Sequence, residues 1–396
     1  MLNSSLIIDR IKKSIFIKNE EPINIHEPCF TSSSTYEYVK ECIDTGWVSS
    51  SGKWVSKFED YIADFTGSKY AIAVSNGTVA LRLALYLIGV RANDEVLVPP
   101  LSFVATANAI SHLGATPHFV DIEPESLGMC PLALEKRLNH IAVFRNGLIF
   151  NKFSGKKISA VVPVHVFGLP AKIKELKKVC LKWNLPLVED SAEALGSKVN
   201  TANDSIHCGC FGEIGILSFN GNKIITTGGG GALLTNNDKF AEYAKHLSTT
   251  AKVEHPWDFY HDQVAWNDRL PNINAAIGCA QFQELNLKLK IKRILHSRFV
   301  KSFHDIEETE IINESENCKS NYWLITLRLK GENIESLRKD ILLEAHKLKI
   351  FLRPSWILLN KLPMYEKCYR GDLIEAENQS KRLINLPSSP QLLKNI

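Results

Sequence analysis

Three short segments carry residue types that can do chemistry. Ser75-Asn76-Gly77-Thr78 falls where an apolar run, Tyr70 to Val74, gives way to a helical stretch, Val79 to Ile88. First-turn backbone N–H groups lack internal partners, and the helix dipole favours an anion there. Gly77 permits close approach, and the Thr78 hydroxyl adds a donor. Glu189-Asp190-Ser191-Ala192-Glu193 follows the apolar Pro186 to Val188. Asp190 and Glu193 therefore stand at the carboxyl end of a strand, where open α/β sheets bind ligands. Ser218-Phe219-Asn220-Gly221-Asn222-Lys223 sets a hydroxyl and an amine five residues apart at the exit of another strand. Thr226-Thr227 and four consecutive glycines, Gly228 to Gly231, come next. Such a run suggests close backbone approach or positive φ. Singly, each segment has an ordinary alternative: an N-cap, a carboxylate capping the next helix, a hairpin around a solvated lysine.

Taken together, the segments describe a pyridoxal phosphate site. That cofactor needs an anion cradle, an amine to hold its aldehyde, a carboxylate at the pyridine nitrogen and a flat wall for the ring. Thr78 and Ser218 suit the phosphate, Lys223 the aldehyde, Asp190 the pyridinium and Phe103 the ring face. A buried lysine near other cations loses proton affinity and can act as a base near neutrality.

The elements that must position these groups alternate between strand and helix. Short apolar runs at Tyr70 to Val74, Glu95 to Val98, Pro117 to Asp121, Ile158 to Val164, Pro186 to Glu189, Ile214 to Phe219 and Gly231 to Thr235 read as strands buried on both faces. Helices are expected at Tyr36 to Asp44, Phe58 to Phe65, Val79 to Ile88, Phe103 to Leu113 and Lys172 to Trp183. This is an α/β pattern: a mainly parallel sheet sandwiched by helices. Residues 136–158 read as a surface excursion between two units. Beyond residue 245 the alternation weakens. A long linking helix from Ala275, a strand at Tyr322 to Leu329 and a helix at Ile334 to Lys347 suggest a smaller α+β C-terminal domain. The expected division is an irregular segment at 1–30, a large cofactor-binding domain at 31–270, and the linking helix with the small domain at 271–396.

Composition sets limits. Of 396 residues, 45% are hydrophobic and 23% charged, which excludes a disordered chain, a collagen or a coiled coil. A net charge of +4 over such a length gives no case for nucleic acid binding. No apolar run approaches a membrane span, and Met1 to Glu20 lacks the pattern of a secretion signal, so a cytoplasmic protein is expected. Nine scattered cysteines read as reduced thiols. His207, Cys208 and Cys210 lack a second ligand pair at zinc spacing, so no metal is expected.

The ordered segments resemble the DegT/DnrJ/EryC1/StrS sugar aminotransferases. The matching stretches are Val74 to Thr78, Pro100 to Asn108, Gly114 to Pro117, Val162 to Gly168, Val188 to Glu193, Ser218 to Gly231 and Trp266 to Ala276. The resemblance implies a fold type I pyridoxal-phosphate-dependent transferase. It implies Lys223 as the catalytic lysine, Asp190 at the pyridine nitrogen and Glu193 beside the ring. Gly77, Thr78 and Ser218 would form the phosphate cup, with Phe103 stacked on the ring. It also implies a homodimer with shared active sites, in which Asn267, or else Arg269, reaches the neighbouring subunit's phosphate. Many members have Glu where this chain has Gly229, and His where it has Asn220. With Gly46 to Ser50, Asn321 to Leu324 and Leu352 to Trp356, these departures are similar to the LegC-like branch. That similarity implies amination at C4 of a UDP-linked 4-keto-6-deoxy-N-acetylhexosamine with L-glutamate as donor, for a legionaminic acid or bacillosamine-type bacterial surface glycan. The alternatives are C3 or C4 amination of a dTDP or GDP sugar, and a non-catalytic regulator that binds cofactor or sugar nucleotide.

Four further residues are substrate candidates with equally plain alternatives. His165 is a ligand contact or a satisfied structural histidine. Trp47 and Tyr322 are sugar or uracil platforms, or core packing. Arg353 pairs with a diphosphate or with a surface carboxylate.

Overall fold

The computed structural model describes residues 3–15, 21–202, 204–332 and 334–393. Its centre is a seven-stranded sheet: β1 (Tyr70–Val74), β2 (Glu95–Val98), β3 (Thr116–Phe119), β4 (Ile158–Val161), β5 (Val188–Asp190), β6 (Ile214–Ser218) and β7 (Gly231–Thr235). The spatial order is β1-β7-β6-β5-β4-β2-β3, with bridges Val161–Leu187 and Val164–Asp190 joining the two halves. β2 is parallel to both β3 and β4, and β5 to β6. Only β7 runs against its neighbours, β1 and β6. Val96 and Val98 enter one apolar cluster and Leu97 the other, so successive side chains of β2 are buried on opposite faces.

Helices cover both faces. α1 (Ser4–Ser14), α2 (Ser34–Asp44), α3 (Lys53–Thr66), α4 (Gly77–Leu87), α5 (Ala105–Ser111), α6 (Pro131–Ile141), α7 (Ile173–Lys182) and α8 (Asp238–Ser248) precede the 32-residue α9 (Asn272–Phe303). α3 buries Trp54, Val55, Phe58 and Ile62 along one stripe and stops at Gly67, whose φ of 75° completes a left-handed cap. Beyond α9, β8 (Thr309–Ile311), β9 (Ile325–Leu329), β10 (Arg353–Pro354) and β11 (Leu383–Leu386) form an antiparallel sheet in the order β8-β9-β11-β10. α11 (Ile374–Arg382) packs on β9, and α10 (Ile334–Lys347) packs on α11 and α1.

Two expectations are corrected. The first residues are not irregular: α1 buries Ile7, Ile8 and Ile11 against α9 and α10, capped by the Asn3 side chain. Its isoleucines are poor intrinsic helix formers, so packing rather than propensity makes it a helix. Ile23 then pairs with Ile350, and the Ile25 carbonyl accepts from the Ser388 N–H, so this segment is stitched to the C-terminal sheet. Residues 136–158 do not separate two units. They hold the end of α6 and a β-hairpin, and they connect strands of one sheet. No helix among the described residues is long and apolar enough to cross a membrane.

The carboxyl end of β5 rests on a buried hydrogen-bonded pair, His165 and Glu189. His165 Nδ1 accepts the Ala171 N–H, which leaves Nε2 to donate to Glu189 at 3.0 Å. The same carboxylate accepts from the N–H groups of Gly209, Phe211 and Gly212. Burial alone would raise the Glu189 carboxyl, but His165 and these donors outweigh it and hold it below the ordinary range. This depressed carboxyl contributes stability above its unfolded pKa, lost as pH falls through the folded value. Glu189→Ala should cost about 3–5 kcal/mol in urea denaturation at pH 7; a loss under about 1 kcal/mol would show the pair to be incidental.

Candidate active site

Three loops at the carboxyl ends of β1, β5 and β6 meet in one cavity of about 520 Å³. Gly77, Thr78, Phe103, Asp190, Glu193, Ser218, Lys223 and Arg353 all line it.

The loop after β1 makes the cradle. The Asn76 side chain caps α4 by accepting the Val79 N–H at 2.9 Å, which leaves the Gly77 and Thr78 N–H groups without helical partners. A Cβ on Gly77 would lie 2.9 Å from the Cβ of Ser218, and one on Gly231 2.5 Å from the carbonyl carbon of Asn76. Glycine at both positions lets the ends of β1, β6 and β7 close on each other, with the Thr78 and Ser218 hydroxyls on one wall.

Asp190, at the end of β5, accepts the Thr106 hydroxyl at 2.8 Å and the Ala192 N–H at 3.2 Å, and Ser102 in turn touches Thr106 at 2.7 Å. Burial nevertheless raises the Asp190 carboxyl. A buried carboxylate of this kind calls for a cationic partner, and a protonated ring nitrogen is one. Glu193 accepts the Phe167 N–H at 2.7 Å and stands 3.6 Å from Lys223 Nζ. Burial pushes its carboxyl up to about 7, against the pull of Lys223. Burial likewise lowers the Lys223 amine, while Glu193 and Asp190 resist. Burial thus eases loss of the ammonium's proton, against the pull of the two carboxylates. The cradle, the acid and the amine fit pyridoxal phosphate, and half-exposed Phe103 stands at the cavity beside Trp356, their ring centroids 6.2 Å apart.

Four candidates lie outside this cavity. His165 is fully buried and spends both ring nitrogens on structure, as described above, so it is no ligand contact. Tyr322 is buried and stacked on His296 at 3.7 Å, so it is packing. Trp47 is 58% exposed beside Asn272, which donates to its backbone carbonyl. Asn267 is exposed and accepts from Arg269 at 2.8 Å. The backbone beside it does reach the site, since the Asp268 carbonyl accepts the Ser75 N–H. His207 Nε2 accepts the Gly196 N–H at 2.7 Å, a structural role; no three-residue metal cluster occurs among the described residues.

The cavity also contains residues the sequence did not single out. Trp323 lies next to the expected Tyr322: its ring centroid is 3.9 Å from Lys223 Nζ, and its Nε1 donates to the Asn222 carbonyl at 2.7 Å. Thr106 is another. Only its place in the first turn of α5, with its hydroxyl on Asp190 at the end of β5, could have signalled it.

An anion cradle, a buried acid and a buried amine at the carboxyl ends of a mainly parallel sheet define a pyridoxal-phosphate-dependent transferase of fold type I. The chain belongs to the DegT/DnrJ/EryC1/StrS aminotransferase family, which it matches over residues 31–395. It is 35% identical over 371 residues to the GDP-perosamine synthase of Escherichia coli O157:H7, covering 93% of this chain and 94% of that protein. The putative pyridoxal phosphate-dependent aminotransferase EpsN of Bacillus subtilis is 34% identical, with 93% and 91% covered. Helicobacter pylori PseC, an aminotransferase of pseudoaminic acid biosynthesis, superposes with a TM-score of 0.83 at 25% identity, covering 94% and 95% of the two chains. The protein is a sugar aminotransferase that uses pyridoxal phosphate.

The raised Glu193 carboxyl has a signed consequence. Its protonated form favours folding, so its contribution is intact below about 4.5 and lost as pH rises through about 7. Relative to Glu193→Gln, the wild-type apoenzyme should lose about 3 kcal/mol between pH 5 and pH 8 in denaturant titrations. A pH-independent difference would place the titration elsewhere.

Proposed function

We propose that the enzyme aminates C4 of a nucleoside-diphosphate-linked 4-keto-6-deoxyhexose, with L-glutamate as amino donor. The observation that carries this reading is Lys223, a buried amine between Asp190 and Glu193 in a cavity with a phosphate-sized cradle at one end. Bound pyridoxal phosphate supplies an electron sink that lets an amino group pass from donor to ketone. Gly77, Thr78 and Ser218 would hold its phosphate by N–H and O–H donors. Asp190 would face the ring nitrogen, and its carboxylate would hold a proton there. Lys223 Nζ, its proton affinity lowered by burial, takes a proton from the α-carbon of glutamate and returns one to C4 of the sugar. Glu193 holds Lys223 within 3.6 Å of its carboxylate and is itself fixed by the Phe167 N–H. Arg353, exposed at the cavity's mouth beside Trp356, suits the substrate's diphosphate.

Two nucleotides compete for that mouth. The segments similar to the LegC-like branch support a UDP-linked 4-keto-6-deoxy-N-acetylhexosamine. The relatives at 32–35% identity from Escherichia coli, Vibrio cholerae and Caulobacter vibrioides are GDP-perosamine synthases, which supports a GDP-linked sugar. The neutral cradle also supports a homodimer. Lys223 and Arg353 are the cavity's only basic side chains among the described residues, so Asn267 or Arg269 of a second copy would complete the phosphate site.

Purified enzyme with glutamate and a panel of UDP-, GDP- and dTDP-linked keto sugars should release 2-oxoglutarate with one nucleotide class, and NMR of the product should place the amine at C4. Amination at C3 would refute the regiochemistry. Lys223→Ala should abolish turnover and the visible absorbance of the bound cofactor, and an active variant would sink the assignment.

A further inference from the structure

We propose that Trp323 is a positioning residue through which the small domain sets the proton affinity of Lys223. The proposal rests on Lys223 being the amine that holds the cofactor.

Trp323 makes two separable contacts with the catalytic turn. Its indole N–H fixes the Asn222 carbonyl at 2.7 Å, one residue before Lys223. Its ring face lies under Nζ, at 3.9 Å from the centroid. A cation at that distance from an indole is stabilised by the ring quadrupole, and more so where water is excluded. Lys223 is in such a place, with a side chain only 13% exposed.

Trp323 is itself rigidly held. Its N–H donates to Asn321 Oδ1 at 2.7 Å, and its carbonyl accepts from Lys292 Nζ at 3.1 Å. Lys292 is completely buried on α9 and also donates to the Ser388 carbonyl. No carboxylate pairs with it among the described residues. One buried amine therefore ties α9 to the strand entry carrying Trp323 and to the loop after β11. The Ser388 N–H continues the tie to Ile25 of the N-terminal segment.

The other groups around Lys223 do not duplicate this effect. Asp190 and Glu193 of the large domain raise its proton affinity by charge. Both are committed, one to Thr106 and the other to Phe167. From the N-terminal segment comes His26, buried, with neither ring nitrogen bonded. Burial first, then Lys292, Lys223 and Lys288, hold His26 well below its ordinary pKa, so it adds no charge near neutrality. Arg353 stands at the cavity's mouth. A neutral, oriented ring face is thus the small domain's own lever on the amine.

The test uses the apoenzyme and stoichiometric pyridoxal phosphate, without sugar. The rate of appearance of the covalently held cofactor's absorbance is measured against pH. Trp323→Leu removes ring and N–H; its midpoint should fall by about one pH unit, because the ammonium loses its support. Trp323→Phe keeps a ring but loses the bond to Asn222. It should keep the wild-type midpoint while releasing the cofactor faster on dilution. Trp323→Met serves in place of the leucine variant should that one fail to fold by circular dichroism. An unchanged midpoint in the folded leucine or methionine variant would overturn the proposal. So would a phenylalanine variant that shifts as far as the leucine one. Lys223→Ala is the control: if it takes up cofactor with the same pH dependence, the assignment of Lys223 fails instead, and its failure is distinguishable from that of Trp323.

Discussion

A lysine amine can act as a base at neutral pH only if it is kept from full hydration and yet not locked to a carboxylate. The rest of this molecule is arranged around that constraint. Burial draws the Lys223 amine down, and Asp190 and Glu193 draw it up. The balance holds because each acid has another claim on it. Asp190 is bound by Thr106 and Ala192, and Glu193 by the Phe167 N–H. Glu193, pushed up to about 7, is itself only partly ionised near neutrality, so it steadies the amine without trapping it.

The sheet produces this arrangement by direction alone. Parallel strands send their carboxyl ends to one edge, and Asp190 and Ser218 end neighbouring strands there, Asp190 opposite Ile216 and Ser218 two residues beyond it. The single antiparallel strand, β7, begins where β1 and β6 end: Gly231 faces both Val74 and Ser218. That is why the glycine run matters, and it matters unevenly. Gly228 has a φ of +81°, and a Cβ on Gly230 would strike Thr227 Oγ1 at 2.3 Å. A Cβ on Gly229 would meet only the Ser75 carbonyl oxygen, at 3.9 Å, so sterics do not demand glycine there. The position that differs from many relatives is the one the backbone leaves free.

Much of this was legible in the sequence, for a physical reason. Strands buried on both faces leave unbroken apolar runs, so β1, β2 and β7 could be bounded to the residue. Chemistry at strand ends leaves polar residues where those runs stop, which exposed Asp190, Ser218 and Lys223. What was not legible depends on contacts remote in sequence. α1 is helical because α9 and α10 cover it. The roles of His165, Tyr322 and Trp323 turn on which way one side chain points. A buried histidine with both nitrogens engaged looks, in sequence, like a ligand. Tyr322 and Trp323 are adjacent aromatics with opposite fates: Tyr322, at a φ of 47°, turns away onto His296, and its neighbour turns toward the cavity.

The cavity draws its walls from two parts of the chain. The wall around Lys223 is built from the strand termini of the large domain together with Trp323 of the small one. Changing it disturbs the balance on Lys223. The mouth is built from Phe103 together with Arg353, Pro354 and Trp356 of the small domain, on or beside the short edge strand β10. β10 is paired on one side only, to β11. The mouth thus draws on the small domain and the wall around Lys223 on the strand ends of the large one, and Trp323 reaches from the first into the second.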